Sequence, residues 1–168
     1  MKGLKYILVS AALTLLFPVF GQNYVAVDKG GKVYDEANTK YVTLNQKNGE
    51  VTLTPGMVFK SLEKSPGWQM IEYSPGLRAY IQESIISSGL KTPTAGEYVV
   101  KNAFGKKLKV EQAGETWKGS ADGKTYAGVK NGEIIVFLDE NNNVSYSLVD
   151  MGDGGIVMSY DNGVTNFF

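Results

Sequence analysis

Short turns built on glycine recur about every 8–12 residues from Pro55 to the end of the chain, and the stretches between them alternate apolar and polar side chains. Alternation with a period of two is typical of strands that bury one face. Connections this short join neighbouring strands in antiparallel order, because a parallel connection needs a dozen or more residues. The sequence therefore predicts an all-β protein.

Residues 55–87 are predicted to form a three-stranded meander. The turns Ser65-Pro66-Gly67 and Ser74-Pro75-Gly76 each combine a proline, whose φ is preset for a turn, with a glycine that is free to take positive φ. A short helical turn is expected at Glu83 to Ile86. The predicted strands are Val58 to Glu63, Trp68 to Tyr73 and Leu77 to Ile81.

The order of these parts resembles the bacterial SH3 domain over residues 56–86. The residues that carry the resemblance are Gly56 before the first strand, Gly67-Trp68 at the start of the second, and Tyr80-Ile81 in the closing strand. The resemblance implies an SH3-like small barrel over residues 22–89. It also implies binding of cell-wall glycan or peptide, or targeting of a neighbouring domain.

The upstream part of this predicted domain contains a hairpin signal. Asn48-Gly49 lies between the alternating stretches 41–45 and 50–54, and an Asn-Gly pair in that setting is the strongest short hairpin signal in a sequence. Together with the meander it gives about six short strands, enough for a small barrel.

Residues 90–94 are the predicted linker, and residues 95–168 are predicted to form an up-and-down meander of eight strands. A long meander leaves two open edges, which proteins remove by closing the sheet. We therefore expect a small closed or half-closed barrel, loosely similar to lipocalin-like barrels. The predicted strands are Glu97 to Ala103, Lys106 to Gln112, Glu115 to Gly119, Lys124 to Lys130, Glu133 to Asp139, Val144 to Met151, Gly155 to Asp161 and Gly163 to Phe168.

Residues 1–21 have the form of a secretory signal. Lys2 and Lys5 precede an apolar run that is too short to span a membrane. Cleavage is expected at Gly21-Gln22, a junction that resembles those of exported Bacteroidetes proteins. No cysteine follows the run, so no lipid anchor is expected. The protein is predicted to be periplasmic or extracellular, and the sequence leaves that choice open.

Charge and composition exclude several functions. The chain has 17 basic and 17 acidic residues, and removal of Lys2 and Lys5 leaves 15 basic residues against 17 acidic ones. This slightly negative net charge argues against nucleic acid or an anionic membrane as the partner. The chain has no cysteine and no histidine. Disulfides, Ser-His-Asp and Cys-His catalysis and the usual zinc sites are therefore excluded, and no cofactor is expected.

Residues 139–150 place oxygen side chains at the spacing of a calcium-binding EF-hand loop. Val144 stands where that loop needs glycine, and the flanking segments alternate as strands with no helical pattern. We interpret the segment as a polar hairpin turn, without a metal.

Two catalytic alternatives are also weak. Ser61 and Lys64 match a Ser-x-x-Lys motif, but on a strand they face opposite sides. A catalytic carboxylate pair would need a deep cleft. Most acidic residues here adjoin turn glycines, where they serve turn geometry.

Aromatic side chains supply the candidate binding site. The predicted ligand-binding residues come from three strands of the first half and are Tyr34, Trp68, Tyr73, Arg78 and Tyr80. Aromatic rings stack on sugars and peptides at low entropic cost. The alternative is that a domain this small uses its large aromatics in its core.

Three functions stay open. The first is a non-catalytic exported module that binds peptidoglycan or peptide. The second is a protein that docks or inhibits another exported protein, for which an open strand edge near Phe167 and Phe168 would be suited. The third is a carrier whose small ligand lies inside the second barrel, lined by Trp117 and Tyr126. The oligomeric state is left open, and an enzyme is the least favoured alternative.

Overall fold

The described chain is all-β apart from one turn of 3-10 helix, which confirms the predicted fold class. The predicted export segment, residues 1–21, lies outside the described residues. The computed structural model describes residues 23–37, 40–43, 45–46, 49–50, 52–161 and 164–165, with side chains at 23–35 and 52–161. The strands of the first half are β1 (Asn23–Ala26), β2 (Gly31–Lys32), β3 (Tyr34–Ala37), β4 (Lys40–Thr43), β5 (Asn45–Gln46), β6 (Gly49–Glu50), β7 (Thr52–Leu53), β8 (Val58–Ser65), β9 (Trp68–Ser74) and β10 (Leu77–Gln82).

The predicted three-stranded meander forms the centre of the first sheet. Its six strands lie in the order β1-β8-β9-β10-β3-β4. Two further sheets have two strands each, β2 with β7 and β5 with β6. Gly67 and Gly76 adopt φ values of 79° and 76° in the two tight turns, as the turn sequences predict. The predicted turn residues 47–48 lie outside the described residues.

After β10 the chain makes a 3-10 helix, Glu83–Ile85, and returns to the first strand. Ile86 bridges Val27 in antiparallel fashion, and the Ser87 N–H donates to the Ala26 carbonyl at 2.8 Å. The first strand therefore pairs with β8 on one side and with this returning segment on the other. The assignment of an SH3-like barrel to this half stays a prediction.

The second half is the predicted eight-stranded up-and-down meander, in which each strand pairs with the next one along the chain. The ends of most strands differ from the predicted ends by one to four residues. The strands are β11 (Gly96–Val99), β12 (Lys107–Ala113), β13 (Thr116–Ala121), β14 (Lys124–Asn131), β15 (Ile134–Leu138), β16 (Val144–Asp150), β17 (Gly155–Asp161) and β18 (Val164–Thr165).

The meander curls into a nearly closed barrel whose seam lies between β11 and β17. Val100 bridges Val157 in parallel, and the Lys101 N–H donates to the Val157 carbonyl at 2.8 Å. At the next residue the side-chain amide of Asn102 makes the hydrogen bonds that the backbone of a neighbouring strand would make. Its amide nitrogen donates to the Ser159 carbonyl at 2.9 Å, and its oxygen accepts from the Ser159 N–H at 2.7 Å.

Gly155 lets the other end of the seam close. A Cβ atom at Gly155 would lie 2.3 Å from a Tyr98 ring carbon and 2.8 Å from a Leu148 methyl carbon. We expect Gly155→Ala to lower the free energy of unfolding by about 1–3 kcal/mol in urea titrations, because the Tyr98 ring must move. Gly96→Ala is the matched control, since its Cβ would come no closer than 3.8 Å to that ring. Equal losses in both variants would contradict this account of the seam.

β15 is buried on both of its faces. Ile134, Val136 and Leu138 belong to a cluster that also contains residues of the first half, whereas Ile135 and Phe137 belong to the cluster inside the barrel. A strand buried on both faces carries an unbroken apolar run. β15 is thus the wall shared by the barrel interior and the main core.

The main core joins the two halves of the chain. The predicted linker, residues 90–94, packs on the barrel: the Lys91 N–H donates to the Asp150 carbonyl at 2.8 Å, and Pro93 is buried. The boundaries 22–89 and 95–168 stay a prediction. The buried residues of this core include Val27, Met57, Phe59, Ile71 and Ile81 from the first half and Ile134, Val136, Val149, Met158 and Tyr160 from the second.

Candidate functional site

Strand pairing brings three of the predicted aromatic residues to one face of the first sheet. Tyr80 pairs directly with Tyr34 of β3, and Gln82 pairs directly with Trp68 of β9. Directly paired residues point to the same side, as do residues two apart on a strand. Tyr34, Trp68 and Tyr80 therefore share one side of the sheet, which we call the aromatic face.

The rings of Tyr34 and Trp68 pack edge to face. Their centroids are 5.1 Å apart, with 82° between the ring planes, a geometry that the quadrupoles of aromatic rings favour. Both side chains are half-buried, whereas Tyr80 beside them is only 9% exposed. Tyr80 thus supports the face, and the rings of Tyr34 and Trp68 are the ones that a ligand can reach.

A shallow, open cleft of about 490 Å³ lies beside Trp68. Its other walls are Gly67 and the exposed residues Gln82, Glu83 and Ser84. The Glu83 N–H donates to the Gly67 carbonyl at 3.0 Å, which holds the 3-10 helix against the turn. An amide, a carboxylate and a hydroxyl therefore surround one side of an indole ring.

The structure places the other two predicted residues on opposite sides of the sheet. Arg78 is exposed and pairs directly with Glu72 on the same side of the sheet as Tyr80. Tyr73 lies on the opposite side of β9 and packs against the main core. Arg78 can therefore contribute charge near the aromatic face, while the Tyr73 ring contributes to packing between the halves.

The comparisons with known proteins give no match: no protein-family model, no curated protein and no solved structure is similar to this chain. No family is assigned. The function must therefore be inferred from the geometry of the side chains.

Sequence reasoning missed a second cleft, of about 540 Å³, at one end of the barrel. Its lining includes Lys124, Tyr126 and Ser145, and Tyr126 packs edge to face on Tyr146 with centroids 5.1 Å apart. Burial, helped by the neighbouring Tyr126, raises the pKa of Tyr146 to about 12. The signal for this pair was present, because each tyrosine is the third residue of a strand, and β14 and β16 begin at the same end of the barrel.

Side chains fill the barrel interior, where a carrier would need a cavity for its ligand. Trp117 is 2% exposed and packs with Leu108, Phe137 and Leu148 in the interior cluster, while Tyr126 is half-buried at its edge. A ligand inside the barrel would have to displace these side chains.

The residues that the structure describes contain neither a metal-binding cluster nor a long apolar helix. No three side chains of His, Cys, Asp or Glu lie close enough together there to hold a metal ion. In the same residues no helix is long and apolar enough to cross a membrane. Asp139 from the EF-hand-like segment instead accepts hydrogen bonds from the N–H groups of Asn141 and Asn143, at 2.8 and 2.9 Å.

Proposed function

We propose that this protein is an exported, non-catalytic binding module that holds a cell-wall glycan or peptide on its aromatic face. The observation that carries the proposal is the edge-to-face pair of Tyr34 and Trp68 beside an open cleft that polar side chains border. Both rings are half-buried, so their position is held by packing while part of each ring stays open to a ligand.

The chemistry of this surface suits sugars and peptides. Aromatic rings present apolar area with few rotatable bonds, so little side-chain entropy is lost when a ligand stacks on them. Gln82 and Ser84 can each both donate and accept hydrogen bonds, and Glu83 accepts them. A ligand that combines apolar ring or side-chain faces with amide or hydroxyl groups would use both parts of this surface.

The order of the strands supports the SH3-like part of the proposal. The resemblance of residues 56–86 to a bacterial SH3 domain implies a three-stranded meander followed by a short helical turn, and β8-β9-β10 followed by the 3-10 helix has that order. Fold alone does not assign a ligand. The aromatic face is therefore the stronger support.

Retention by purified peptidoglycan tests the proposal. We expect the protein, purified after expression of the full sequence, to co-sediment with peptidoglycan at moderate salt, and Trp68→Ala to weaken binding about tenfold or more, as loss of an aromatic anchor does. Tyr126→Ala is the matched control, since it removes a half-buried aromatic ring from the barrel. Equal retention of both variants would exclude the aromatic face as the site.

Fluorescence gives an independent measurement at the site, because the chain has only 2 tryptophans. Trp117 is buried in the barrel, so Trp117→Phe leaves Trp68 as the only reporter. Soluble glycan fragments and stem peptides should then be titrated separately. The class of fragment that shifts the Trp68 emission is the ligand class, and no shift with either class would contradict the proposal.

A second function, docking to another exported protein, is favoured by one different observation. Phe104 is fully exposed in the turn between β11 and β12, and Val99 nearby in the chain is 67% exposed. Exposed large apolar side chains of this kind are common in protein interfaces. If purified peptidoglycan does not retain the protein, photo-cross-linking from position 104 in exporting cells is the next experiment.

A further inference from the structure

A small cleft lies where the first sheet meets the barrel. Its volume is about 220 Å³, below the range of drug-sized pockets. We call it the junction cleft. The polar residues that line it are Tyr24, Lys60, Glu72, Ser74, Asn142 and Asn143.

One wall is a row of side chains across three strands of the first sheet. Tyr24 of β1 pairs directly with Lys60 of β8, which pairs directly with Glu72 of β9. The Lys60 ammonium lies 3.9 Å from the Glu72 carboxylate, and both side chains are partly exposed. The two charges have opposite signs, and their separation is close to the longest distance of an ion pair. This wall therefore offers a hydrogen-bond donor and an acceptor with little net charge.

The other wall is the turn between β15 and β16. The Asp139 carboxylate accepts the Asn143 N–H, and the Asn142 N–H donates to the Asp139 carbonyl at 3.0 Å. Asn142 itself adopts φ 62°, a left-handed conformation that asparagine tolerates. These bonds fix the backbone of the turn. In the described part of the chain the side-chain amides of Asn142 and Asn143 have no hydrogen-bond partner, so both remain available at the cleft.

The floor of the junction cleft is Tyr160, whose hydroxyl already has its hydrogen-bond partners. Tyr160 is buried, and its hydroxyl accepts the Val58 N–H at 3.0 Å and lies 2.8 Å from the Ser147 hydroxyl. This phenol joins the two halves of the protein beneath the cleft. A ligand therefore meets a preformed site in which the side-chain amides of Asn142 and Asn143, and not the Tyr160 hydroxyl of the floor, are available to bind.

We propose that the junction cleft binds a single sugar residue. Sugar hydroxyls both donate and accept hydrogen bonds, and so do the amides of Asn142 and Asn143 and the hydroxyl of Ser74. The Lys60 ammonium adds a donor and the Glu72 carboxylate adds an acceptor. A ligand with one net charge would be attracted by Lys60 and repelled by Glu72, or the reverse. The junction cleft shares no lining residue with the Tyr34–Trp68 pair or the cleft beside it, although Glu72 lies on the same side of the sheet. It is therefore a second site that does not depend on the proposed function.

Titration with N-acetylglucosamine, followed by NMR of the 15N-labelled protein, tests the inference. We expect saturable shifts of the Asn142 and Asn143 side-chain amides and of backbone signals near Lys60 and Glu72. Asn143→Ala should weaken binding about three- to tenfold, as expected for one neutral hydrogen bond. The backbone bonds of the turn do not use the Asn143 side chain, so this variant should fold normally.

Asn141→Ala is the matched control, because Asn141 belongs to the same turn but lines the cleft at the end of the barrel. It should bind the sugar as the unchanged protein does. Shifts that do not saturate, shifts confined to the signals around Trp68, or equal weakening by both variants would each overturn the inference. Tighter binding of glutamate than of the sugar would also overturn it, since the ligand class would then be charged.

Discussion

Replacing Phe137 by alanine is expected to lower the free energy of unfolding by about 3–5 kcal/mol, as for other fully buried phenylalanines. Phe137 is 0% exposed in the barrel cluster. Gly119 stands against its ring, where a Cβ atom would come within 2.8 Å. The site therefore cannot easily collapse around a smaller side chain, because the neighbouring position has no side chain to fill the space.

Phe104→Ala is the matched control for this variant. Phe104 is fully exposed, so the same chemical change should alter the free energy of unfolding by about 0.5 kcal/mol or less. Urea unfolding followed by circular dichroism measures both variants. A loss below about 1 kcal/mol for Phe137→Ala would mean that the barrel interior is less tightly packed than the structure has it.

The antiparallel order of the second half was predictable because its turns are local. Asp122 and Gly123 adopt φ values of 49° and 74° between β13 and β14, and an Asp-Gly pair is one of the few sequences that tolerates this conformation. Such turns leave the chain one option, which is to reverse and pair with the strand before it. Strand number and direction follow from that.

The joint between the halves was not predicted, because it depends on contacts far apart in the sequence. Val58 and the phenol of Tyr160 are 102 positions apart, and period-two alternation does not reveal such a contact. One local signal existed: Ile134 to Leu138 is an unbroken apolar run. A strand with one solvent face alternates, so this run already indicated a second layer packed on the barrel.

The candidate site was predictable in part. Alternation along β9 places Trp68 and Tyr73 on opposite faces, so the separation of Tyr73 from the aromatic face could have been inferred from the sequence. The pairing of β3 beside β10, which brings Tyr34 to Trp68, could not. β3 and β10 are separated by six other strands in the chain, and no local turn determines which edge of the meander β3 joins.

Tyr160→Phe should make the stability of the protein less sensitive to alkaline pH. At neutral pH the variant loses the hydrogen bonds of the buried phenol to the Val58 N–H and the Ser147 hydroxyl. Each group left without a partner costs about 1–3 kcal/mol. The variant is therefore expected to be the less stable protein at pH 7, measured by urea titration.

The difference should shrink as the pH rises, since burial raises the pKa of Tyr160 to about 12 from 10.0. A tyrosine loses its proton more readily in the unfolded chain than in this folded one. Its contribution to stability is therefore complete below pH 10 and is lost between pH 10 and pH 12. Two pKa units correspond to about 3 kcal/mol, which the unchanged protein loses from this group and the phenylalanine variant does not.

Ser147→Ala separates the two effects of the phenol. It removes one hydrogen-bond partner but keeps the titrating hydroxyl, so it should be less stable than the unchanged protein at pH 7 and still lose stability steeply above pH 10. The raised pKa of Tyr146 adds to alkaline unfolding equally in all three proteins, so the comparison between them isolates Tyr160. Parallel curves for Tyr160→Phe and the unchanged protein would show that the phenol is not buried at the joint, and the junction cleft would then lack its rigid floor.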